Sequence, residues 1–157
     1  MKTLIGLSDQ DRKQSTDVLS ILLADEMSMY VKTRKFHWNV AGESFMELHQ
    51  LFQQQYTSLE ATIDAIAERI NQLGADTIGT MQEFVECSRL TEFAAVYPMQ
   101  KEMLVELLND YNELINYLRS DIVTISKDSE DVGTIDFLTG IIQQHEKTAW
   151  MLRRYLA

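Results

Sequence analysis

Residues 45–74, FMELHQLFQQQYTSLEATIDAIAERINQLG, carry the clearest structural pattern of the chain. Apolar side chains recur in this segment at alternating steps of three and four residues, which is the period of a helix with one buried face. Gly74 follows the last apolar residue, where a glycine commonly ends a helix. The segment therefore predicts an amphipathic helix, with Gln55 or Tyr56 filling a gap on its buried side. That side consists of Leu48, Phe52, Leu59, Ile63, Ile66, Ile70 and Leu73.

Another long helix is predicted before this one. Ser8 is a residue type that caps helix N-termini, and Asp11 stands at the third helical position, where a carboxylate completes the cap. We expect this first helix to reach about Trp38. The segment Val40–Gly42 then interrupts the pattern, and Ser44 is expected to cap the second helix.

A long connection follows the second helix. Residues 75–97 lack the helical period, apart from a short helix expected near Met81–Cys87. Pro98 suits the first position of a third helix, and a fourth is expected after the polar residues 126–134. A crossover of this length can join helices that are not antiparallel neighbours. The predicted fold class is therefore all-α: a ferritin-like four-helix bundle forming a single domain, residues 1–157.

Composition limits the classes of function. The chain has 157 residues and a formal net charge of −10, whereas proteins that bind nucleic acid through its phosphates usually present a basic face. Cys87 is the only cysteine, which excludes an internal disulfide and a cysteine-based zinc site. The first residues lack the apolar core of a signal peptide, and no apolar run approaches the length of a membrane span. These features predict a cytoplasmic protein without membrane contact.

The side chains that suggest chemistry lie on the second helix and just before it. On a helical wheel, one polar stripe beside the apolar face is formed by His49, Gln53, Glu60, Asp64 and Glu68. A solvated surface would produce the same stripe, so the pattern alone leaves both interpretations open. His37 ends the first helix and can approach His49 across the same hairpin.

The residues of this polar stripe are too far apart along the helix to bind one metal ion within one chain. His49 and Asp64 are about 22 Å apart along a helix, whereas ligand bonds are only about 2 Å long. However, residues 49 and 68 lie equally far from the point between residues 58 and 59, and so do residues 53 and 64. Two copies packed antiparallel about a two-fold axis would therefore bring His49 opposite Glu68 of the partner subunit. Imidazoles combined with carboxylates suit iron, manganese or zinc.

Three segments carry a family resemblance: HWNVAGESFMELH at 37–49, DAIAER at 64–69 and HEKTAWML at 145–152. The first two closely resemble the signature of the Dps family, the DNA-protecting mini-ferritins of starved cells. The third is similar to the last helix of that family. Because the order and length of the helices also match, the resemblance extends over nearly the whole chain.

The resemblance implies a dodecameric shell with ferroxidase sites between its subunits. His37 and His49 of one chain, with Asp64 and Glu68 of its two-fold mate, match the ligands of that site, and Trp38 matches a tryptophan beside it. The implied activity is oxidation of Fe(II), typically with hydrogen peroxide. Ferric iron would be stored inside the shell, which would limit oxidative damage.

The sequence departs from the family pattern at Gln53, where an Asp or Glu is usual four residues after the second histidine. A neutral amide is a poorer ligand for a hard cation than a carboxylate, so we expect a weak second iron position. The resemblance also suggests Asp131 and Asp136 as acids lining three-fold pores. Both flank the start of the fourth helix, where negative charge is favourable in any protein.

The sequence offers less support for two other functions. An ordinary ferritin site needs Glu-x-x-His pairs, and no Glu stands three residues before His37, His49 or His145. We expect His145 to be a buried, hydrogen-bonded core residue. A non-catalytic shell that coats DNA would need a basic surface, and Lys2 is the only basic residue before Ser8. We therefore expect weak DNA binding or none.

Overall fold

The chain forms four long helices and one short helix. The structure, a computed structural model, describes residues 3–157 except for the side chain of Asp128. Its helices are α1 (Asp9–Asn39), α2 (Phe45–Gln72), α3 (Met81–Cys87), α4 (Gln100–Asp128) and α5 (Val132–Leu156). The described residues contain no strand, which confirms the predicted all-α class. None of the helices in this range combines the length and the apolar character that a membrane span needs.

The order of the helices explains the long crossover. Short loops make α1 and α2, and likewise α4 and α5, into antiparallel pairs. The helices α2 and α5 are also antiparallel, because Tyr155 contacts Glu47 and Arg69 contacts Asp131 at opposite ends of α2. It follows that α2 and α4 run in the same direction, so the chain between them has to return along the bundle.

One partly buried cation, Arg89, and one buried cation, Lys32, fasten this crossover to the bundle. Arg89 donates hydrogen bonds to Asp25 of α1 at 2.8 Å and to Asp121 of α4 at 3.0 Å. The Nζ atom of Lys32 lies 2.9 Å from the carbonyl oxygen of Thr91, to which it donates. Ion pairs and hydrogen bonds of these two side chains therefore attach the longest connection to α1 and α4.

Three predicted helix boundaries can be compared with the structure. Ser8 caps α1 as predicted, because its Oγ accepts from the N–H of Asp11 at 3.1 Å. Gly74 follows α2 with φ +89°, a left-handed conformation that glycine adopts readily. Ser44 does occupy the position before α2, but its side chain makes no capping hydrogen bond, so that part of the prediction is wrong.

The prediction that Pro98 opens the third helix is also wrong. The helix α4 begins at Gln100, and Met99 precedes it in an extended conformation. The carboxylate of Glu102 accepts a hydrogen bond from the N–H of Met99 at 2.9 Å. A capping carboxylate within the first turn therefore sets the start of α4, and Pro98 remains outside the helix.

Candidate metal centre

Two histidines meet at the hairpin between α1 and α2. His37 lies in the last turn of α1, and His49 lies in the second turn of α2. Their rings are stacked, with centroids 3.7 Å apart and planes 23° from parallel. His37 is buried and His49 is partly exposed. The hairpin therefore brings together the two imidazoles that the sequence predicts as ligands.

A reciprocal pair of hydrogen bonds fixes both rings. The Nδ1 atom of His37 lies 2.8 Å from the carbonyl oxygen of His49, and the Nδ1 atom of His49 lies 2.9 Å from the carbonyl oxygen of His37. A carbonyl oxygen can only accept, so each Nδ1 carries the proton and donates it. In the neutral rings, both Nε2 atoms then keep their lone pairs. A hydrogen bond from one ring nitrogen fixes the orientation of a histidine and leaves its other nitrogen free to bind a metal.

The candidate carboxylates lie at the other end of α2. Asp64 and Glu68 are exposed, and no hydrogen bond or ion pair engages either of them in the described part of the chain. Along the helix, Asp64 is about 22 Å from His49, and Glu68 is about 28 Å from it. Among residues 3–157, no three His, Cys, Asp or Glu side chains are grouped closely enough to hold a metal ion. One chain thus offers two separate half-sites: the histidine pair at the hairpin, and the carboxylates Asp64 and Glu68 near the other end of α2.

The weak ligand candidate Gln53 lies one turn beyond His49 on the same side of α2 and is exposed. Its amide makes no hydrogen bond within residues 3–157. The opposition of Gln53 to Asp64 of the partner subunit depends on the two-fold register and stays a prediction.

Aromatic side chains surround the histidine pair. The ring of Tyr56 stands edge-on to the ring of His37, with centroids 5.2 Å apart. Tyr30 stands edge-on to Tyr56, with centroids 6.1 Å apart. Trp38 is 64% exposed beside them, so it is not the core residue that its type alone would suggest. Sequence reasoning treated Tyr56 as core filler, although its spacing of seven residues from His49 places both on one face of α2.

Arg34 joins these aromatic rings together. Its guanidinium carbon lies 4.8 Å from the ring centre of Tyr56, 5.2 Å from that of Trp38 and 5.4 Å from that of Tyr30. It also donates a hydrogen bond to the hydroxyl of Tyr30 at 2.5 Å, which raises the pKa of Arg34. Arg34 lies one turn before His37 in the sequence. That spacing is the only sequence feature that indicates a place for Arg34 beside the site.

The structure corrects the expectation for Asp131. The helix α5 begins at Val132, within the predicted polar loop 126–134, and Asp131 is its N-cap. The side chain is 2% exposed and accepts hydrogen bonds from Thr134 at 2.6 Å and from Ser15 at 2.8 Å. A carboxylate engaged in this way inside one subunit does not fit a solvent-lined pore, so the structure argues against a pore role for Asp131.

The pKa of Asp131 reflects the same contacts. Burial alone would raise it, but hydrogen bonds from Thr134 and Ser15, with the nearby charge of Arg69, hold the pKa below its usual value. Asp136, the other pore candidate, is exposed in the second turn of α5 and stays a prediction.

The fold and the half-sites define a class of protein, and comparison with known proteins agrees. The chain belongs to the ferritin-like domain family, whose sequence profile matches residues 16–157. Within that family it belongs with the Dps proteins. The DNA protection during starvation protein 2 of Bacillus anthracis is 39% identical over 145 residues, which cover 92% of this chain and 97% of the relative. A low temperature-induced protein of Nostoc sp. is 41% identical over 152 residues, covering 97% of this chain and 85% of the relative.

Solved structures show the same relationship. A Dps protein from Vibrio cholerae O1, described as a member of a superfamily of ferritin-like diiron-carboxylate proteins, superposes with a TM-score of 0.91 at 29% identity. The match covers 98% of this chain and 96% of that one. A Dps protein from Staphylococcus aureus superposes with a TM-score of 0.86 at 30% identity, covering 97% of this chain and 99% of that one. The predicted ferritin-like bundle is therefore confirmed.

Proposed function

We propose that this chain is a mini-ferritin that binds and oxidises Fe(II), with hydrogen peroxide as the oxidant, at sites between two-fold-related subunits. Ferric iron is then stored inside a dodecameric shell. The observation that carries the proposal is the pair His37 and His49, whose rings are fixed by reciprocal hydrogen bonds. Both imidazoles are held by hydrogen bonds from their Nδ1 atoms, yet no carboxylate among residues 3–157 of the same chain lies close enough to complete a metal site with them.

A two-fold-related copy supplies what is missing. With α2 packed antiparallel to its mate, Asp64 and Glu68 of the partner subunit face His49 and its neighbours. Two neutral nitrogen ligands and two carboxylates suit Fe(II) in both ligand type and charge. Each subunit pair then carries two identical sites, and each site uses residues of both chains.

The residues of the chain have separate tasks in this reaction. The imidazoles bind Fe(II) through Nε2, because each Nδ1 is engaged with a backbone carbonyl oxygen. The carboxylates offset the positive charge of Fe(II), which becomes larger when an electron leaves. Hydrogen peroxide accepts two electrons and two protons to give two water molecules. Asp136 is retained as an acid that attracts Fe(II) to a pore.

Coating of DNA is the alternative function. It is suggested by the names of relatives such as the DNA protection during starvation protein of Helicobacter pylori, which is 30% identical over 141 residues. The net charge of −10 opposes tight contact with phosphates. A protein that only coats DNA would also have no use for the hydrogen-bonded pair His37 and His49. We therefore propose that this chain binds DNA weakly if at all, and that it functions in iron oxidation.

The first test measures Fe(II) oxidation by peroxide without oxygen, followed optically. We expect the wild type to react fast and the double variant His49→Ala/Glu68→Ala to be slower by at least one to two orders of magnitude, because loss of a group that only hydrogen-bonds to a ligand already weakens a metal site about 10- to 100-fold. Glu43→Ala removes the same single charge from an exposed residue near α2 and should behave as wild type. Equal slow rates in all three intact assemblies would contradict the proposal.

A second prediction concerns the departure at residue 53. Gln53→Glu adds the carboxylate that the second metal position lacks, so it should raise the number of tightly bound ions from one to two per site. Titration with redox-inert Zn(II) in a calorimeter measures this number without any turnover. Gln54→Glu adds the same charge to the next exposed residue, on a different side of α2, and should change nothing. Two tight ions per site in the wild type would refute the expectation.

A further inference from the structure

We infer that Arg34 binds the oxidant: its guanidinium holds peroxide, as the hydroperoxide anion, beside the iron that His37 and His49 bind. The inference rests on the proposed ferroxidase function and deepens it by assigning a residue to the oxidant. Metal binding alone does not call for a cation at this place, because Fe(II) is itself positive and is repelled by one.

Two ring contacts fix how α1 lies against α2. The ring of His37 stacks on the ring of His49. Seven residues earlier on α1, the ring of Tyr30 meets that of Tyr56. Arg34 lies between His37 and Tyr30, so it is level with the part of α2 that joins their two partners. Its guanidinium carbon is 4.8 Å from the ring centre of Tyr56, whose ring centre is 5.2 Å from that of His37. The charge therefore stands one ring away from the proposed metal ligands.

The guanidinium of Arg34 has no carboxylate within ion-pair distance in the described part of the chain. The other partly buried arginines each contact an aspartate, and they are Arg12, Arg69 and Arg89. Arg34 donates instead to the hydroxyl of Tyr30, and its Nε atom is buried without a hydrogen-bond partner. The chain has 24 acidic and 14 basic residues, so carboxylates are not scarce. Arg34 thus keeps a positive charge and N–H donors for an anion.

Aromatic rings hold this guanidinium in place without neutralising it. Besides Tyr56, the ring centre of Trp38 lies 5.2 Å and that of Tyr30 5.4 Å from the guanidinium carbon. Such contacts favour the cation, and they leave N–H groups at the edge of its plane available. The hydrogen bond to Tyr30 raises the pKa of Arg34, and the charge of Glu60 acts in the same direction. Because Glu60 belongs to the polar stripe of α2, the cation lies near that stripe.

A fixed cation suits peroxide while it is reduced. Hydrogen peroxide is neutral in solution and binds as the hydroperoxide anion after it loses one proton to solvent. Its O–O bond then breaks as two Fe(II) ions give one electron each, and three protons from solvent complete two water molecules. Negative charge on the oxygens is stabilised by hydrogen bonds from a guanidinium. Arg34 stays protonated throughout, so it binds and orients the oxidant but transfers neither a proton nor an electron.

The test measures anion binding without turnover. The assembly is loaded with Co(II) in place of Fe(II), and azide, a small anion with the charge of hydroperoxide, is titrated while the visible spectrum of Co(II) is followed. Arg34→Gln should weaken azide binding about 10- to 100-fold, because it removes a hydrogen bond between charged groups. Co(II) should bind at least as tightly as in the wild type. In Fe(II) oxidation, the KM for peroxide should rise by a similar factor.

Two further variants calibrate this result. Arg34→Lys keeps the charge but loses the planar fork of N–H groups, so its azide affinity should lie between those of the wild type and Arg34→Gln. Lys35→Gln removes the same charge from the next residue, whose ammonium donates to the carbonyl oxygen of Phe93 on the crossover. This control should bind azide as the wild type does.

The outcomes separate the two proposals. Fe(II) oxidation no faster than in His49→Ala/Glu68→Ala would overturn the ferroxidase function and this inference with it. Fast oxidation with unchanged azide binding in Arg34→Gln would overturn only the inference, since a carboxylate of the partner subunit would then neutralise Arg34. Loss of Co(II) affinity together with azide affinity would also overturn it, in favour of a role in shaping the metal site. Should Arg34→Gln assemble poorly, Arg34→Lys must still weaken azide binding, and wild-type affinity in that variant would refute the inference.

Discussion

Shells that mix two inactive variants will recover Fe(II) oxidation. His37→Ala/His49→Ala removes the imidazoles, and Asp64→Ala/Glu68→Ala removes the carboxylates, so each variant alone has no complete site. In a mixed two-fold pair, the chain with intact histidines meets the chain with intact carboxylates, and one of the two sites is complete. Random mixing in equal amounts should therefore restore about one quarter of the wild-type rate. The rate of peroxide-driven Fe(II) oxidation after co-assembly measures this directly.

A second mixture serves as the control for the first. Chains with His37→Ala and chains with His49→Ala each lack one imidazole. In the proposed site both imidazoles come from one chain, in which their rings are stacked 3.7 Å apart. No arrangement of these chains forms a complete site, so their mixture should stay inactive. Distinct affinity tags on the two chains verify that mixed assemblies form. Recovery in this control, or none in the first mixture, would contradict a site shared in this way.

Most of the fold could be predicted because it depends on local spacing. The apolar period of 45–74 places α2 within a residue or two, and Ser8 and Gly74 act through neighbours in sequence. The start of α4 was predicted wrongly because two signals compete there. Pro98 is a plausible first helical residue, but the Glu102 carboxylate binds the N–H of Met99 and starts the helix later.

The candidate site was less predictable, because its distinguishing contacts join residues from different helices. Spacing suggested that His37 and His49 approach each other, yet it contained no sign that each Nδ1 donates to the other's carbonyl oxygen. The contact between Tyr56 and His37 also depends on how α1 packs on α2. Asp131 was misjudged because its partner Ser15 is 116 residues away, and nothing local indicates burial.

A second long-range pair lies in the core of the bundle. The Nε2 atom of His145 lies 2.6 Å from Oε1 of Glu26, although the residues are 119 positions apart. Glu26 is 0% exposed and His145 2%, and the other Glu26 oxygen is buried without a partner. Burial, together with the charge of Glu26, raises the pKa of the neighbouring Tyr111. The expectation that His145 is a buried, hydrogen-bonded residue is confirmed, but its partner could not be predicted from sequence.

His145→Leu should be among the most destabilising single substitutions in the chain. The substitution replaces the imidazole by an apolar side chain of similar size. It leaves the Glu26 carboxylate buried without its hydrogen-bond partner, which costs about 3–5 kcal/mol. For a chain of this length that loss corresponds to a drop of roughly 10 °C in Tm. Scanning calorimetry of the iron-free protein measures it, at one fixed concentration because assembly adds to the apparent stability.

The double variant Glu26→Met/His145→Leu decides what the pair contributes. It removes both polar groups and fills their space with apolar atoms, so no carboxylate is left without a partner. Replacing a buried polar pair by apolar side chains of similar volume is often neutral or stabilising, and we expect most of the lost Tm to return. A recovered Tm would mean that His145→Leu destabilises the protein because the buried Glu26 carboxylate has lost its partner. If the double variant stayed as unstable as the single one, the pair itself would contribute favourable energy that apolar packing between α1 and α5 does not replace.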